Sequence, residues 1–385
     1  MEIYFDNSAT TQVSDAAISA VTDAMKRTYG NPSSMHYKGV EAERVLNAAR
    51  EVIAKSLHAS EKEIFFTSGG TESNNWALAG GAAAHRRRGN HIITTAIEHP
   101  SVHEPLKRLA GEGFEITYLP VDAEGRISLS DLENAVRKET ILVSVMYVNN
   151  EVGSIEPVEE AAALIKRINR EILFHVDAVQ AYGKLPIHMG KLQADLLSAS
   201  SHKIHGPKGT GFLYVRDKCR ILPYILGGGQ QKGMRSGTDH VPGAAGMAAA
   251  AAECKEALLS GNEHLLSLKN RLRSGLETME GVTVNTPPDG ISAPHILSAS
   301  FSGIRSEVLL HALEERGICV SSGSACSTNK KMPVSEVLLQ MHIPRDQASS
   351  TLRFSFGRYN TEEEVDYCLE QLRELLPVLR RFTRR

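Results

Sequence analysis

Short β-branched runs alternate with amphipathic stretches over the first two-thirds of this chain, and that alternation constrains the fold more than any other feature. The runs fall at 63–66, 91–95, 115–119, 141–148, 172–176, 196–199 and 211–215. Helix-like segments at 72–88, 100–111, 129–138 and 157–170 lie between them. Parallel neighbours need a long crossover, and a helix supplies it compactly. The pattern therefore reads as an α/β domain around a mostly parallel sheet. Ser130 is placed to cap a helix before Asp131, and Pro157 suits a first helical position. After the glycine-rich stretch 227–233 the pattern changes. An alanine-rich helix at 244–252 and an amphipathic helix at 258–279 are expected next. Strands near 282–285, 296–301 and 349–356 then mix with helices near 307–316, 334–341 and 362–380. This second part reads as a smaller α+β domain. A chain of 385 residues exceeds what one core usually holds, so two domains are expected, with a boundary near residue 255.

Composition removes several function classes. The formal net charge of −2 argues against a general nucleic-acid surface, so no direct nucleic-acid contact is expected. No apolar run reaches membrane-spanning length, and no basic segment leads into an apolar one at the start. A cytoplasmic protein without a membrane partner is the expectation. The five cysteines are Cys219, Cys254, Cys319, Cys326 and Cys368. Their odd number and scattered spacing suit reduced thiols, and no Cys-x-x-Cys is present. His99 and His103 lie four apart but lack the His-Glu-x-x-His arrangement, so no metal site is expected.

Five segments carry chemistry. Ser68-Gly69-Gly70-Thr71-Glu72-Ser73 follows an apolar run and opens a helix, which makes it either a phosphate cradle or an ordinary strand-to-helix turn. Asp177 closes another strand. It reads equally as a helix cap and as the acid that pairs with the ring nitrogen of pyridoxal phosphate. Lys203 follows a strand end inside Ser200-Ser201-His202-Lys203, where a lysine can form a Schiff base and Ser200 and His202 can bind phosphate. His99 is placed to stack on a flat ring. Finally, Ser321-Ser322-Gly323-Ser324-Ala325-Cys326 sets one thiol among small residues, which contribute little packing. Cys319 sits in an apolar strand-like run and is expected to be buried and inert.

Together these segments resemble the cysteine desulfurases of the IscS/NifS-like branch, pyridoxal-phosphate enzymes of the class-V aminotransferase family. The similarity extends from Tyr4-Phe5-Asp6-Asn7-Ser8-Ala9-Thr10-Thr11 to Arg353-Phe354-Ser355-Phe356-Gly357-Arg358. It includes Gly30-Asn31-Pro32-Ser33-Ser34, Asn149-Asn150-Glu151-Val152-Gly153 and Arg235-Ser236-Gly237-Thr238. The resemblance implies the fold type I architecture of pyridoxal-phosphate transferases. That is a large domain, 12–255, with a mixed, mostly parallel seven-stranded sheet, and a smaller α+β domain, 1–11 and 256–385. It implies that Lys203 bonds the cofactor and moves the Cα proton, and that His99 stacks on the ring and assists proton transfer. Asp177 would pair with the ring nitrogen and Gln180 with the ring hydroxyl. Gly70, Thr71, Ser200 and His202 would hold the phosphate, joined by Thr238 from a neighbouring subunit of a homodimer. Asn150 and Arg353 would hold the substrate carboxylate, with Asn150 also beside the cofactor. Cys326 would take sulfur from L-cysteine as a persulfide, release L-alanine, and pass the sulfur to an acceptor protein. An iron–sulfur scaffold and a tRNA-thiolation enzyme are the two acceptor classes. Selenocysteine lysis and a non-catalytic sulfur-pathway scaffold are the competing readings.

Overall fold

The computed structural model describes residues 2–260, 262–322 and 334–383. Its strands are β1 (Ile3–Tyr4), β2 (Ile64–Thr67), β3 (His91–Thr95), β4 (Glu115–Leu119), β5 (Thr140–Met146), β6 (Leu173–Asp177), β7 (Leu196–Ser200), β8 (Gly211–Val215), β9 (Val282–Val284), β10 (Ile296–Phe301), β11 (Ile318–Cys319), β12 (Ser321–Ser322) and β13 (Thr351–Ser355). Its helices are α1 (Asp15–Lys26), α2 (Tyr37–Ser56), α3 (Gly70–His85), α4 (Pro100–Gly111), α5 (Leu129–Ala135), α6 (Val158–Ile168), α7 (Met189–Leu192), α8 (Val241–Leu259), α9 (Glu263–Glu277), α10 (Ser306–Glu314), α11 (Glu336–Gln340), α12 (Arg345–Ala348) and α13 (Glu362–Thr383).

The seven-stranded sheet runs in the order β2-β8-β7-β6-β5-β3-β4. Strands β7, β6, β5, β3 and β4 pair in parallel, and β8 pairs antiparallel with both β7 and β2. The expected mixed, mostly parallel seven-stranded sheet is thus present. Strands β3, β5, β6, β7 and β8 are buried throughout, as strands covered on both faces must be. One core, with Ile93, Val145, Phe174 and Phe212, lies on one face, and another, with Trp76, Leu106 and Leu142, lies on the other. A separate core joins Ile3, Phe5, Leu272, Phe301, Phe354 and Leu372 around the antiparallel sheet β12-β13-β10-β9.

Three local expectations need correction. Ser128, not Ser130, caps α5: its side chain accepts from the Asp131 amide at 3.3 Å. Pro157 is the cap of α6, whose first helical residue is Val158. Residues 258–279 are not one helix, because α8 ends at Leu259 and α9 opens after Asn262, whose φ of 56° breaks the chain direction. The sequence reading places no element before residue 63, yet α1 and α2 occupy that stretch and pack on α8. Their buried faces are built mainly of small residues: Ala17 and Ala24 in α1, and Gly39, Ala42, Ala49 and Ala54 with Leu46 and Ile53 in α2. Small residues let three helices approach closely but leave a weak hydrophobic stripe in the sequence.

Candidate active site

The parallel strands deliver their following residues to one edge. Asp177 ends β6, Ser200 ends β7, Asn150 follows β5, Glu98 and His99 follow β3, and Gly70 follows β2. The carboxyl edge of such a sheet is where α/β folds bind ligands. A cavity of about 420 Å³ lies there, and Gly70, Thr71, His99, Asn150, Asp177, Gln180, Ser200, His202, Lys203 and Arg353 all line it. Thus ten of the expected site residues, spread from 70 to 353, line one cavity. Thr238 is exposed and does not line the cavity of its own chain. Cys326 lies outside the described residues.

Lys203 is gripped from the N-terminal segment. Its Nζ donates to the carbonyls of Ser8 and, at 2.8 Å, Ala9. That segment is itself tied down, because the Thr11 hydroxyl donates to the His202 carbonyl at 2.9 Å and accepts from the His205 amide at 2.8 Å. The motif from Asn7 to Thr11 therefore works as a clamp on the lysine. Burial pulls the Lys203 amine down to about 7, aided by the positive charges of Arg353 and Lys184. Lys184 is itself buried, with Nζ donating to the Lys203 carbonyl at 2.6 Å.

Asp177 is buried, and its carboxylate accepts from Asn74 Nδ2 at 2.7 Å and the Val179 amide at 3.0 Å. Its alternative reading as a helix cap does not apply, since the turn after it is not a regular helix. His99 is the cap of α4: its Nδ1 accepts from the Ser101 amide at 3.1 Å. Burial lowers its pKa, and Lys203 adds to the effect against the pull of Asp177. Burial also pushes the neighbouring Glu98 carboxyl well above the carboxylate range, and Asp177 reinforces the shift.

At the mouth of α3 an added side chain on Gly70 would meet Val179 at 2.6 Å, and Gly69 has φ of 148°. These two glycines let the helix start press against the Asp177 turn, leaving backbone amides at the cavity. Glu72 in the first turn takes a bidentate bond from Arg235 at 2.7 and 3.0 Å, which ties the Arg235–Thr238 motif to the same helix end. Across the cavity, buried Arg353 donates through Nη2 to Asp6 at 2.7 Å and through Nη1 to the Asn150 carbonyl at 2.8 Å. Its Nε has no partner.

The donor set fits pyridoxal phosphate. There is a buried carboxylate for the ring nitrogen, a depressed lysine for the aldehyde and a glycine-opened helix start for the phosphate. The buried Gln180 side chain keeps Oε1 without a partner. A hydrogen-bonding ligand satisfies such an orphan. Sequence reasoning missed Asn74, Glu98, Ser101 and Lys184, and it left Asp6 without an individual role. Asn74 stands 103 positions from Asp177, and only the sheet brings them together.

Fold and site together define a fold type I, pyridoxal-phosphate-dependent enzyme, and residues 3–368 match the profile of the aminotransferase class-V family. The chain belongs to that family, and within it to the cysteine desulfurases. A protein named cysteine desulfurase IscS from Clostridium botulinum (strain Hall / ATCC 3502 / NCTC 13319 / Type A) is 43% identical over 377 residues, which cover 97% of this chain and 94% of that protein. Its namesake from Methanosarcina thermophila is 43% identical over 378 residues, covering 98% and 93%. Among solved structures, a NifS-like protein superposes with a TM-score of 0.93 at 44% identity, covering 98% of this chain and all of that one. A structure titled SspA in complex with cysteine superposes with a TM-score of 0.81 at 32% identity, covering 93% of this chain. Among the described residues, no helix is long and apolar enough to cross a membrane.

Proposed function

We propose that this chain is a pyridoxal-phosphate-dependent cysteine desulfurase that moves sulfur from L-cysteine to Cys326 and releases L-alanine. The observation that carries the reading is the meeting of Lys203, Asp177, His99 and Arg353 on one cavity, in a chain whose relatives are cysteine desulfurases. Bound pyridoxal phosphate supplies an electron sink that stabilises negative charge at the substrate Cα. Lys203 takes up and returns the Cα proton, a task that suits an amine poised near neutrality. Asp177 holds the ring nitrogen, and Gln180 the ring hydroxyl. Gly70, Thr71, Ser200 and His202 hold the phosphate, while Asn150 flanks the cofactor. Arg353 exchanges its contact with Asp6 for the substrate carboxylate, which Asn150 helps to orient.

The thiolate of Cys326 attacks the substrate sulfur. A sulfur–sulfur bond forms as the carbon–sulfur bond breaks, leaving a persulfide on the protein. Cys326 lies four positions after Ser322, a residue of the cavity wall. Four residues span at most about 14 Å, which bounds the distance from Ser322 to Cys326 along the chain. Every described cysteine is a poorer choice. Burial pushes the thiols of Cys219 and Cys368 up to about 12 and that of Cys254 to about 11. Cys319 is only half-buried, contrary to expectation, but its thiol is also raised by burial and by nearby Glu2, Glu314 and Asp6.

The active unit in this reading is a cytoplasmic homodimer. Thr238, exposed on its own chain, reaches the phosphate of the neighbouring subunit, and exposed Met25, Tyr29, Met35, Tyr37 and Leu226 supply apolar surface for the contact. The domain division at 12–255 and at 1–11 with 256–385 is supported by the separate core that unites Ile3 and Phe5 with residues beyond 264. A sulfur-acceptor protein, either an iron–sulfur scaffold or a tRNA-thiolation enzyme, receives the persulfide sulfur.

Formation of L-alanine from L-cysteine by the purified holoenzyme tests the function. No alanine above the uncatalysed background would refute it. In the same assay Arg353→Lys is expected to raise KM for L-cysteine about tenfold or more, with a smaller change in kcat, because a point charge replaces a planar fork. An unchanged KM would remove Arg353 from the carboxylate site.

A further inference from the structure

Behind His99 lies a chain of hydrogen bonds whose donors and acceptors can be assigned atom by atom. Asp177 Oδ2 is 2.7 Å from Asn74 Nδ2, which is also 2.8 Å from Ser101 Oγ. Ser101 Oγ is 2.8 Å from His99 Nδ1, and the Ser101 amide donates to the same nitrogen at 3.1 Å. Asn74 is fully buried, and Asp177 and Ser101 are nearly so. An ionised carboxylate only accepts, so Asn74 presents its NH₂ group and gives one hydrogen to Asp177 and one to Ser101. Ser101 Oγ, already an acceptor, has its own hydrogen left for His99 Nδ1. That nitrogen then receives two hydrogens, from the hydroxyl and the amide of one serine, and has no room for a proton of its own. The neutral ring must carry its proton on Nε2, which has no protein partner among the described residues, and His99 lines the cavity. Asn74 spends both hydrogens on this chain while its Oδ1 stays buried and unpartnered.

We propose that Asn74 and Ser101 are positioning residues that lock His99 as the neutral Nε2–H tautomer, so that His99 offers the cavity a hydrogen-bond donor and not a lone pair. In the desulfurase reading, on which this consequence rests, His99 then steadies a developing negative charge while Lys203 handles the Cα proton. The charged groups that face His99 agree with a neutral ring. Buried surroundings and Lys203, after β7, oppose its protonation, and Asp177 at the end of β6, which favours it, is held by Asn74. His103, one turn along α4, also has its pKa lowered by burial.

The test is a two-bond proton–nitrogen correlation spectrum of the ¹⁵N-histidine-labelled holoenzyme, with His99 assigned by its loss in His99→Phe. The expected result is a protonated Nε2 and an unprotonated Nδ1 throughout the neutral range. A protonated Nδ1, or an imidazolium near neutrality, would overturn the proposal. Ser101→Ala removes the hydroxyl at 2.8 Å but keeps the amide at 3.1 Å, so it is expected to weaken the lock and admit a measurable minority of the Nδ1–H tautomer, and Ser101→Thr, which keeps the hydroxyl, to restore the single one. If Ser101→Ala leaves His99 unchanged while the other histidine signals report an intact fold, the side-chain relay has no role and the proposal fails. Alanine formation measured on the same sample separates the two readings. The expected tautomer without alanine would refute the desulfurase and leave the lock standing, and alanine with a protonated Nδ1 would do the reverse.

Discussion

Lys203→Ala is expected to yield a folded but colourless protein whose alanine formation falls by about a thousandfold or more. The size of the effect follows from how the chain treats this amine. An ordinary lysine is unprotonated in roughly one molecule in three thousand at neutral pH. Burial, with Arg353 and Lys184 adding positive charge, brings Lys203 to about 7, where about half is free to bond an aldehyde. The direction with pH follows. Below about 7 the apoprotein's amine is protonated and unreactive, and above it the amine is free. Colour development on adding pyridoxal phosphate to apoprotein should therefore slow as pH falls through that value. A midpoint near that of ordinary lysine would contradict the account, as would a Lys203→Ala protein that keeps both colour and turnover.

The second large effect belongs to Cys326→Ser. The variant is expected to keep the cofactor colour and to change spectrum when L-cysteine is added, yet to lose turnover by about a thousandfold or more. A serine hydroxyl is not a useful nucleophile toward sulfur at neutral pH, whereas a thiol is partly ionised there. The other thiols cannot substitute. Those of Cys219, Cys254, Cys319 and Cys368 are all raised by burial, and none lines the cavity. Undiminished sulfide release by Cys326→Ser would remove the residue from the reaction.

The large sheet was legible because its strands are apolar, β-branched and short, and each is followed by a helix or turn signal. The helices α1 and α2 were not. They pack on α8, and small buried residues are prominent on both sides, Ala17, Ala42 and Ala49 in α1 and α2 and Ala244 and Ala248 in α8; such packing leaves little periodic signal. In the site, Lys203, Asp177 and His99 stand in local motifs at strand ends and could be picked out singly. Asn74, Ser101 and Lys184 act through contacts that the sheet creates between distant segments. Asn74 sits near the start of a helical run, where an asparagine ordinarily reads as a neutral surface choice. Only its bonds to Asp177 and Ser101 reveal what it holds.

The most direct test of the central claim is mass mapping of the holoenzyme after brief incubation with L-cysteine. One added sulfur on the peptide that contains Cys326, together with L-alanine in solution, is the predicted result. Added sulfur on Cys319 or another cysteine in its place, or alanine formed with Cys326 unmodified throughout, would contradict the account.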